Sequence, residues 1–259
     1  MTGPQHAFPT PDLRLEAATG FARARVGLII PSGNRMSEPQ FRRFLPADVG
    51  VHATRLQMTG RHQKPLDVLL REVAQAASAL GDAKCDVVVF HCTANAMEHG
   101  LDGEQRILQA IRDHCGAQTL STAGAVRDAF LALAIRRYVL VSPYEPAVNA
   151  QEISYFRALG LDCVHDVALA LTPPSDAYVA APPSLWHDVT LANAREDADG
   201  YFLSCTNTTQ VDVIPALEKA LGKPVVNSNQ ATIWAVLRLL EPRIGRPAAE
   251  PALGALLAR

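Results

Sequence analysis

The chain has 259 residues, 48% of them hydrophobic and 19% charged, with a formal net charge of −2. That composition excludes a disordered or fibrous chain, and the lack of any long run of one sign argues against a nucleic-acid or membrane-surface partner. No apolar stretch approaches the roughly 20 residues of a membrane span, and the opening "MTGPQHAFPTPDLRLEAATG" lacks a basic-then-apolar signal pattern; an irregular arm over 1–21 and a cytoplasmic location are expected.

Along the chain, "RVGLIIPSGN" (25–34) reads as a buried strand ending in a turn and "HATRLQM" (52–58) as a weaker strand. "LDVLLREVAQAASALG" (66–81) follows a helical period, with Leu66, Leu69, Leu70, Val73, Ala77 and Leu80 on one face. "DVVVFHC" is the next strand, "EQRILQAIRDHCG" (104–116) a helix, "QTLST" a short strand and "AGAVRDAFLALAI" a helix. The order then repeats. "RRYVLVSPYEPAVN" (136–149) is a strand and turn, "AQEISYFRALG" (150–160) a helix, and "LDCVHDVALAL" (161–171) a strand. "PPSDAYVAAPP" reads as an exposed, lid-like loop and "SLWHDVTLANARE" as a helix. "GYFLSC" is a strand, "VIPALEKALG" a helix, "KPVVNS" a strand, and "NQATIWAVLRLL" the last long helix.

Strands alternating with helices predict an α/β fold with parallel sheets. The halves also match each other: "GLIIPSGN" with "YVLVSPYEPAVN", "VVVFHCTAN" with "YFLSCTNTT", and "TLSTAGAVRDAFLAL" with "VVNSNQATIWAVLRLL". Pro31 and Cys92 stand 61 positions apart, Pro143 and Cys205 62. Such a repeat implies two lobes related by a pseudo-twofold axis, with the active site in the cleft between them. The expected division is 22–120 plus 226–259 for lobe 1 and 121–225 for lobe 2.

Five cysteines, at 85, 92, 115, 163 and 205, argue against a disulfide framework by their odd number. No C-x-x-C, H-E-x-x-H, G-x-G-x-x-G or Walker loop is present, so neither metal nor nucleotide cofactor has support. Cys92 and Cys205 each end a strand and are followed by Thr93-Ala94-Asn95 and Thr206-Asn207-Thr208, leading into helix N-termini. Ligands bind beyond the carboxyl ends of parallel strands, so two facing lobes set both thiols on opposite walls of one pocket. Helix N-termini favour anions and lower a thiol pKa, which predicts two activated sulfurs around a small carboxylate. Cys85, Cys115 and Cys163 read as structural. His91 should point away from the Cys92 side by strand alternation. Asn34 either shapes its turn or touches substrate, and Tyr144 is either a packing aromatic or a ligand.

These segments resemble the aspartate/glutamate racemase superfamily. "GLIIPSGN", "SPYEPAVNAQEISYF", "FHCTANAM" and "FLSCTNTTQVDVIPALE" are similar to its maleate cis-trans isomerase and arylmalonate decarboxylase branch, over roughly residues 24 to 240. The resemblance implies Cys92 as the nucleophile and Cys205 as the opposing proton donor or acceptor. It implies Asn34, Tyr144, Thr93, Ala94, Thr206 and Asn207 as carboxylate ligands, with no metal or organic cofactor. Isomerisation of a small mono- or dicarboxylic acid is the expected activity, in a homodimer or larger homo-oligomer. Racemisation by two-base proton transfer and arylmalonate-type decarboxylation are the alternatives, with a non-catalytic acid-binding protein as a third class. The decarboxylases of the branch have glycine at the first cysteine position, whereas this chain has Cys92. It also departs from the isomerases in "ALALTPPSDAYVA", where they carry an asparagine ligand; Ser175, Asp176 and Tyr178 are the side chains available instead.

Overall fold

The computed structural model describes residues 23–58, 64–246 and 251–259. The arm expected over 1–21 lies outside them. In chain order the elements are β1 (Ala24–Pro31), α1 (Ser37–Phe44), β2 (Val49–Leu56), α2 (Leu66–Asp82), β3 (Val87–Phe90), α3 (Thr93–Met97), α4 (Gly100–Cys115), β4 (Gln118–Ser121) and α5 (Thr122–Ala132). The second series is β5 (Arg137–Ser142), α6 (Pro146–Arg157), β6 (Asp162–Ala168), α7 (Asp176–Ala180), α8 (Pro183–Ala192), β7 (Gly200–Leu203), α9 (Ile214–Leu221), β8 (Val225–Asn227) and α10 (Ser228–Ile244).

Two four-stranded sheets result, ordered β2-β1-β3-β4 and β6-β5-β7-β8, with every pair parallel. The second order is the first with four added to each strand, which is the sequence repeat made spatial. Helices cover both faces, so the inner strands are apolar on both sides: Val26, Leu28, Ile29 and Ile30 of β1 and all of β3 are fully buried. The strand order of each sheet reverses between its two central strands, β1 and β3 or β5 and β7. Those are the topological switch points at which α/β sheets open a crevice.

Both halves also stop a strand and start a helix in the same way. After β4, Ser121 Oγ accepts from Gly124 N at 2.8 Å. After β8, Asn227 Oδ1 accepts from Asn229 N at 2.9 Å, and Gln230 Oε1 accepts from Asn227 N at 2.9 Å, a complete capping box. The helices so launched, α5 and α10, pack against each other, and α10 also packs against β1 and β3. An aromatic cluster ties α5, β5, α6 and β7 together. Phe130 stacks on Phe156 at 5.4 Å between centroids, and both meet Phe202 edge-on at 5.8 and 5.7 Å. Gly200 opens β7 because a Cβ there would lie 2.7 Å from Ile135 Cδ1 and 2.9 Å from the Pro224 carbonyl.

Two short helices depart from the sequence reading. α1 follows the turn after β1, in a stretch to which the sequence reading assigns no element; only Phe41 and Phe44 give it an apolar stripe, so its period is too brief to stand out. α7 lies inside the segment read as a loop, and its five residues include none that is buried. No helix among the described residues is long and apolar enough to cross a membrane.

Candidate active site

The turns after the switch-point strands meet in one cavity of about 540 Å³. Pro31 and Asn34 arrive from β1, Cys92, Ala94 and Asn95 from β3, Tyr144 from β5, and Cys205, Thr206 and Asn207 from β7. Of the residues expected at the site, only Thr93 lies off the wall: it is fully buried, and its hydroxyl donates to Ser228 Oγ at 2.8 Å. Leu171, Thr172, Pro174, Ser175 and Tyr178 close the cavity from above. Arg35 holds that lid, donating to Asp176 Oδ1 at 2.6 Å and to the Ser175 carbonyl at 3.2 Å.

The "SPYEPAVN" stretch has a local logic. The Ser142 hydroxyl accepts from Tyr144 N at 3.1 Å and donates to Asn149 Oδ1, while Asn149 Nδ2 donates to Asp166 at 2.9 Å. Strand end, turn and first turn of α6 are locked together, and the Tyr144 ring is set on the cavity wall, edge-on to Tyr178 at 5.8 Å. Its hydroxyl hydrogen-bonds Cys205.

Asn34 and Asn207 stitch the loops. Asn34 Nδ2 donates to Thr206 Oγ1 at 3.0 Å, and its Oδ1 accepts from Met36 N and Ser37 N at 3.1 and 3.0 Å. Asn207 Oδ1 accepts from Arg35 N at 2.8 Å, and Nδ2 reaches the Gly33 carbonyl at 3.3 Å. The turn-shaping role of Asn34 is therefore filled, and its place on the wall leaves the amide within reach of a ligand.

The sulfurs differ in their hydrogen bonds. Cys92 Sγ donates to Asn95 Oδ1 at 3.0 Å, and Asn95 passes the polarisation on through Nδ2 to Glu98 at 2.8 Å. Cys205 Sγ instead accepts from Asn207 N at 3.3 Å and from Tyr144. Cys205 also has φ 127°, a backbone state in which an L-residue is strained by about 1–3 kcal/mol. Ser228 Oγ, accepting from its N–H at 3.2 Å, helps to hold it there.

Activation by helix N-termini, expected from the sequence, is reversed by burial. Both thiols are pushed up to about 12, chiefly by desolvation. For Cys92 the Asn95 backbone N–H opposes the rise; for Cys205, Tyr144 and the Asn207 N–H do. A helix of five residues, α3, carries too small a dipole to offset this. Iodoacetamide labelling of either thiol should therefore speed up about tenfold per pH unit from acid to neutral pH, with no plateau. A plateau below pH 8 would contradict the burial argument.

His91 points into the core, away from the cavity. Asn229 Nδ2 donates to the Thr206 carbonyl at 3.1 Å and to Gln40, so its Oδ1 faces His91 Nε2 at 2.8 Å. Nε2 therefore carries the proton, and Nδ1 accepts from the Thr122 hydroxyl at 2.9 Å. Both nitrogens are satisfied only in the neutral ring, and burial lowers the pKa from 6.5 to about 4. Unfolded His91 binds the proton first, so stability is lost as pH falls from 6.5 towards 4, by about 3 kcal/mol in full. Urea unfolding at pH 7 and pH 4.5 should show this loss in the wild type and a smaller one in His91→Gln. Equal losses would exclude His91 as the source.

Sequence reasoning missed Asn95, Asn229 and Glu152 as partners of this site. Asn95 carried a signal, since it falls in the loop after Cys92; the other two belong to elements that only the fold brings near. No group of three or more His, Cys, Asp or Glu side chains among the described residues is placed to hold a metal ion.

The chain as a whole is similar to known enzymes. The chain is 28% identical over 248 residues to a maleate isomerase of Pseudomonas putida, covering 90% of this chain and 96% of that protein. It is 26% identical over 229 residues to the arylmalonate decarboxylase of Bordetella bronchiseptica, covering 83% and 89%. The crystal structure of the maleate isomerase Iso from Pseudomonas putida S16, a variant solved with maleate, superposes with a TM-score of 0.80 at 25% identity, covering 91% of this chain and 97% of that one. The family model described as arylmalonate decarboxylase matches residues 26–253, and the chain belongs to that family.

Proposed function

We propose that this protein is a cofactor-independent isomerase of a small unsaturated carboxylic acid, with Cys92 as nucleophile and Cys205 as proton carrier. The observation that carries the reading is the convergence of both buried sulfurs on one cavity, each at the switch point of its own sheet. The relatives named maleate isomerase support a cis–trans reaction on maleate or a close analogue.

Reaction starts from the minor form in which Cys92 has lost its proton to solvent and Cys205 has kept its own. The Cys92 sulfur adds to one alkene carbon, and the π electrons move to the neighbouring carbon and into its carboxylate. Backbone N–H groups of the Cys92 and Cys205 loops stabilise that charge, the largest contribution expected in such a site. Cys205 delivers its proton to the carbanion. The new single bond rotates, Cys205 takes a proton back from the same carbon, and the C–S bond breaks to release the trans acid and the Cys92 thiolate.

Purified protein should convert maleate to fumarate, with both species followed by NMR. The absence of turnover with maleate and with substituted cis-enedioates would overturn the proposal. Decarboxylation is the second reading, favoured by the Bordetella bronchiseptica relative. It needs Cys205 alone, to protonate the carbanion left after loss of carbon dioxide.

A further inference from the structure

One buried acid beside the cysteines has no part in this scheme. Glu152 lies on the inner face of α6, one turn after Asn149, and is wholly inaccessible to solvent. Its neighbour Gln151 donates to the Ala94 carbonyl at 2.8 Å, tying α6 to the Cys92 loop. Its own Oε1 accepts from the Ser204 hydroxyl at 2.9 Å, and Ser204 directly precedes Cys205. Helix α6 thus braces both cysteine loops, through Gln151 on the Cys92 side and Glu152 on the Cys205 side. The second oxygen of Glu152, Oε2, is buried with no partner among the described residues.

An ionised carboxylate in that place would receive one hydrogen bond where it has lone pairs for about four, with no cation to balance it. No cation acts on it, and the groups nearest it are acids or neutral; Arg127 of α5, beyond Glu104 and Tyr155, is paired with Asp128. Cys205 and Cys92 lie at the two loops, Tyr138 on β5 and Tyr144 just after it, and Glu152 acts on all four. From β6 come Cys163 and Asp166, the latter bonded to Asn149, and from α4 comes Glu104, taken by Ser121 and Tyr155. Glu98, after α3, is engaged by Asn95, and the one cation of α6 itself is Arg157, at the far end of the helix.

We infer that Glu152 is a positioning residue that keeps the cleft free of fixed negative charge: a carboxylic acid held neutral behind the Cys205 loop, whose ionisation in alkaline solution makes both thiols harder to deprotonate and offsets part of the thiolate that rising pH would otherwise supply. Burial pushes its pKa up to about 8, with the Ser204 hydroxyl opposing, and its charge raises that of both sulfurs. The inference rests on the reading of Cys92 and Cys205 as the reacting pair. Thiol labelling tests it without substrate and so keeps the two apart.

Iodoacetamide alkylation of Cys92 and Cys205, quantified by peptide mass spectrometry from pH 6 to 9.5, is the measurement. In the wild type the logarithm of the rate should climb with unit slope, slacken near pH 8, and climb again. In Glu152→Gln it should run straight, equal to the wild type at pH 6.5 and about fivefold faster at pH 9, approaching tenfold above it, the effect of one unit of thiol pKa. Parallel profiles, or a variant slower at every pH with a lowered Tm, would overturn the inference and leave Glu152 a packing group. Should Glu152→Gln fail to fold, Ser204→Ala decides. Loss of the donor that favours the ionised form should move the break to higher pH, and an unmoved break counts against the inference. Labelling as described, with no unsaturated acid turned over, would sink the isomerase proposal alone.

Discussion

Cys92→Ala is expected to lower isomerase turnover by about a thousandfold or more, to background, while substrate still binds and the fold is kept. The size follows from the step removed: without the sulfur no covalent adduct forms, and the alkene keeps its barrier to rotation. Among the described residues nothing else on the cavity wall is free to substitute. Cys205, the other sulfur there, is the proton carrier of the same reaction, and burial raises Tyr144 well above its ordinary pKa. Removal of Cys92 costs little in packing, because its side chain lines the cavity and not the apolar core. NMR turnover assays beside thermal melts test both halves. Decarboxylase activity that survives the substitution would replace the isomerase reading with the second one, since that chemistry uses Cys205 only.

The largest loss of stability is expected at Phe156→Ala, about 3–5 kcal/mol. Phe156 is fully buried and touches four rings: Phe130 at 5.4 Å, Tyr138 at 5.6 Å, Phe202 at 5.7 Å and Tyr155 at 5.3 Å. Two β-strands and a second helix, α5, lean on it, so the space it vacates cannot close by moving one element. Urea unfolding at neutral pH measures the loss, and a value under 1 kcal/mol would show that the cluster relaxes. α6 also presents Asn149 and Glu152 on its buried side, so the loss should reach the Tyr144 turn and lower turnover in the residual folded protein.

The alternation of elements and the repeat were legible because they are written in local patterns. Apolar runs of four to eight residues and helical periods such as Leu66 to Leu80 each act over a few neighbouring residues. α1 and α7 were not legible, since eight and five residues are too few for a period to declare itself. Among the site residues, the cysteines, Ala94, Tyr144, Asn34, Thr206 and Asn207 line one cavity, because the strand ends of each parallel sheet lie at one edge and the two edges meet there. Thr93 does not, since its side chain turns to Ser228 inside the fold.

What the sequence determined by itself is the pairing: two strand–cysteine–threonine elements at matched places in two similar halves, and hence one cleft with two sulfurs. What only the tertiary structure decided is the state of those sulfurs. A helix N-terminus is visible in sequence and argues for a thiolate, but desolvation depends on everything packed around the group, and here it prevails and raises both thiols. The same holds for Glu152. In sequence it is one acid on a helix; in the fold it is a buried carboxyl with one hydrogen bond and two thiols for neighbours.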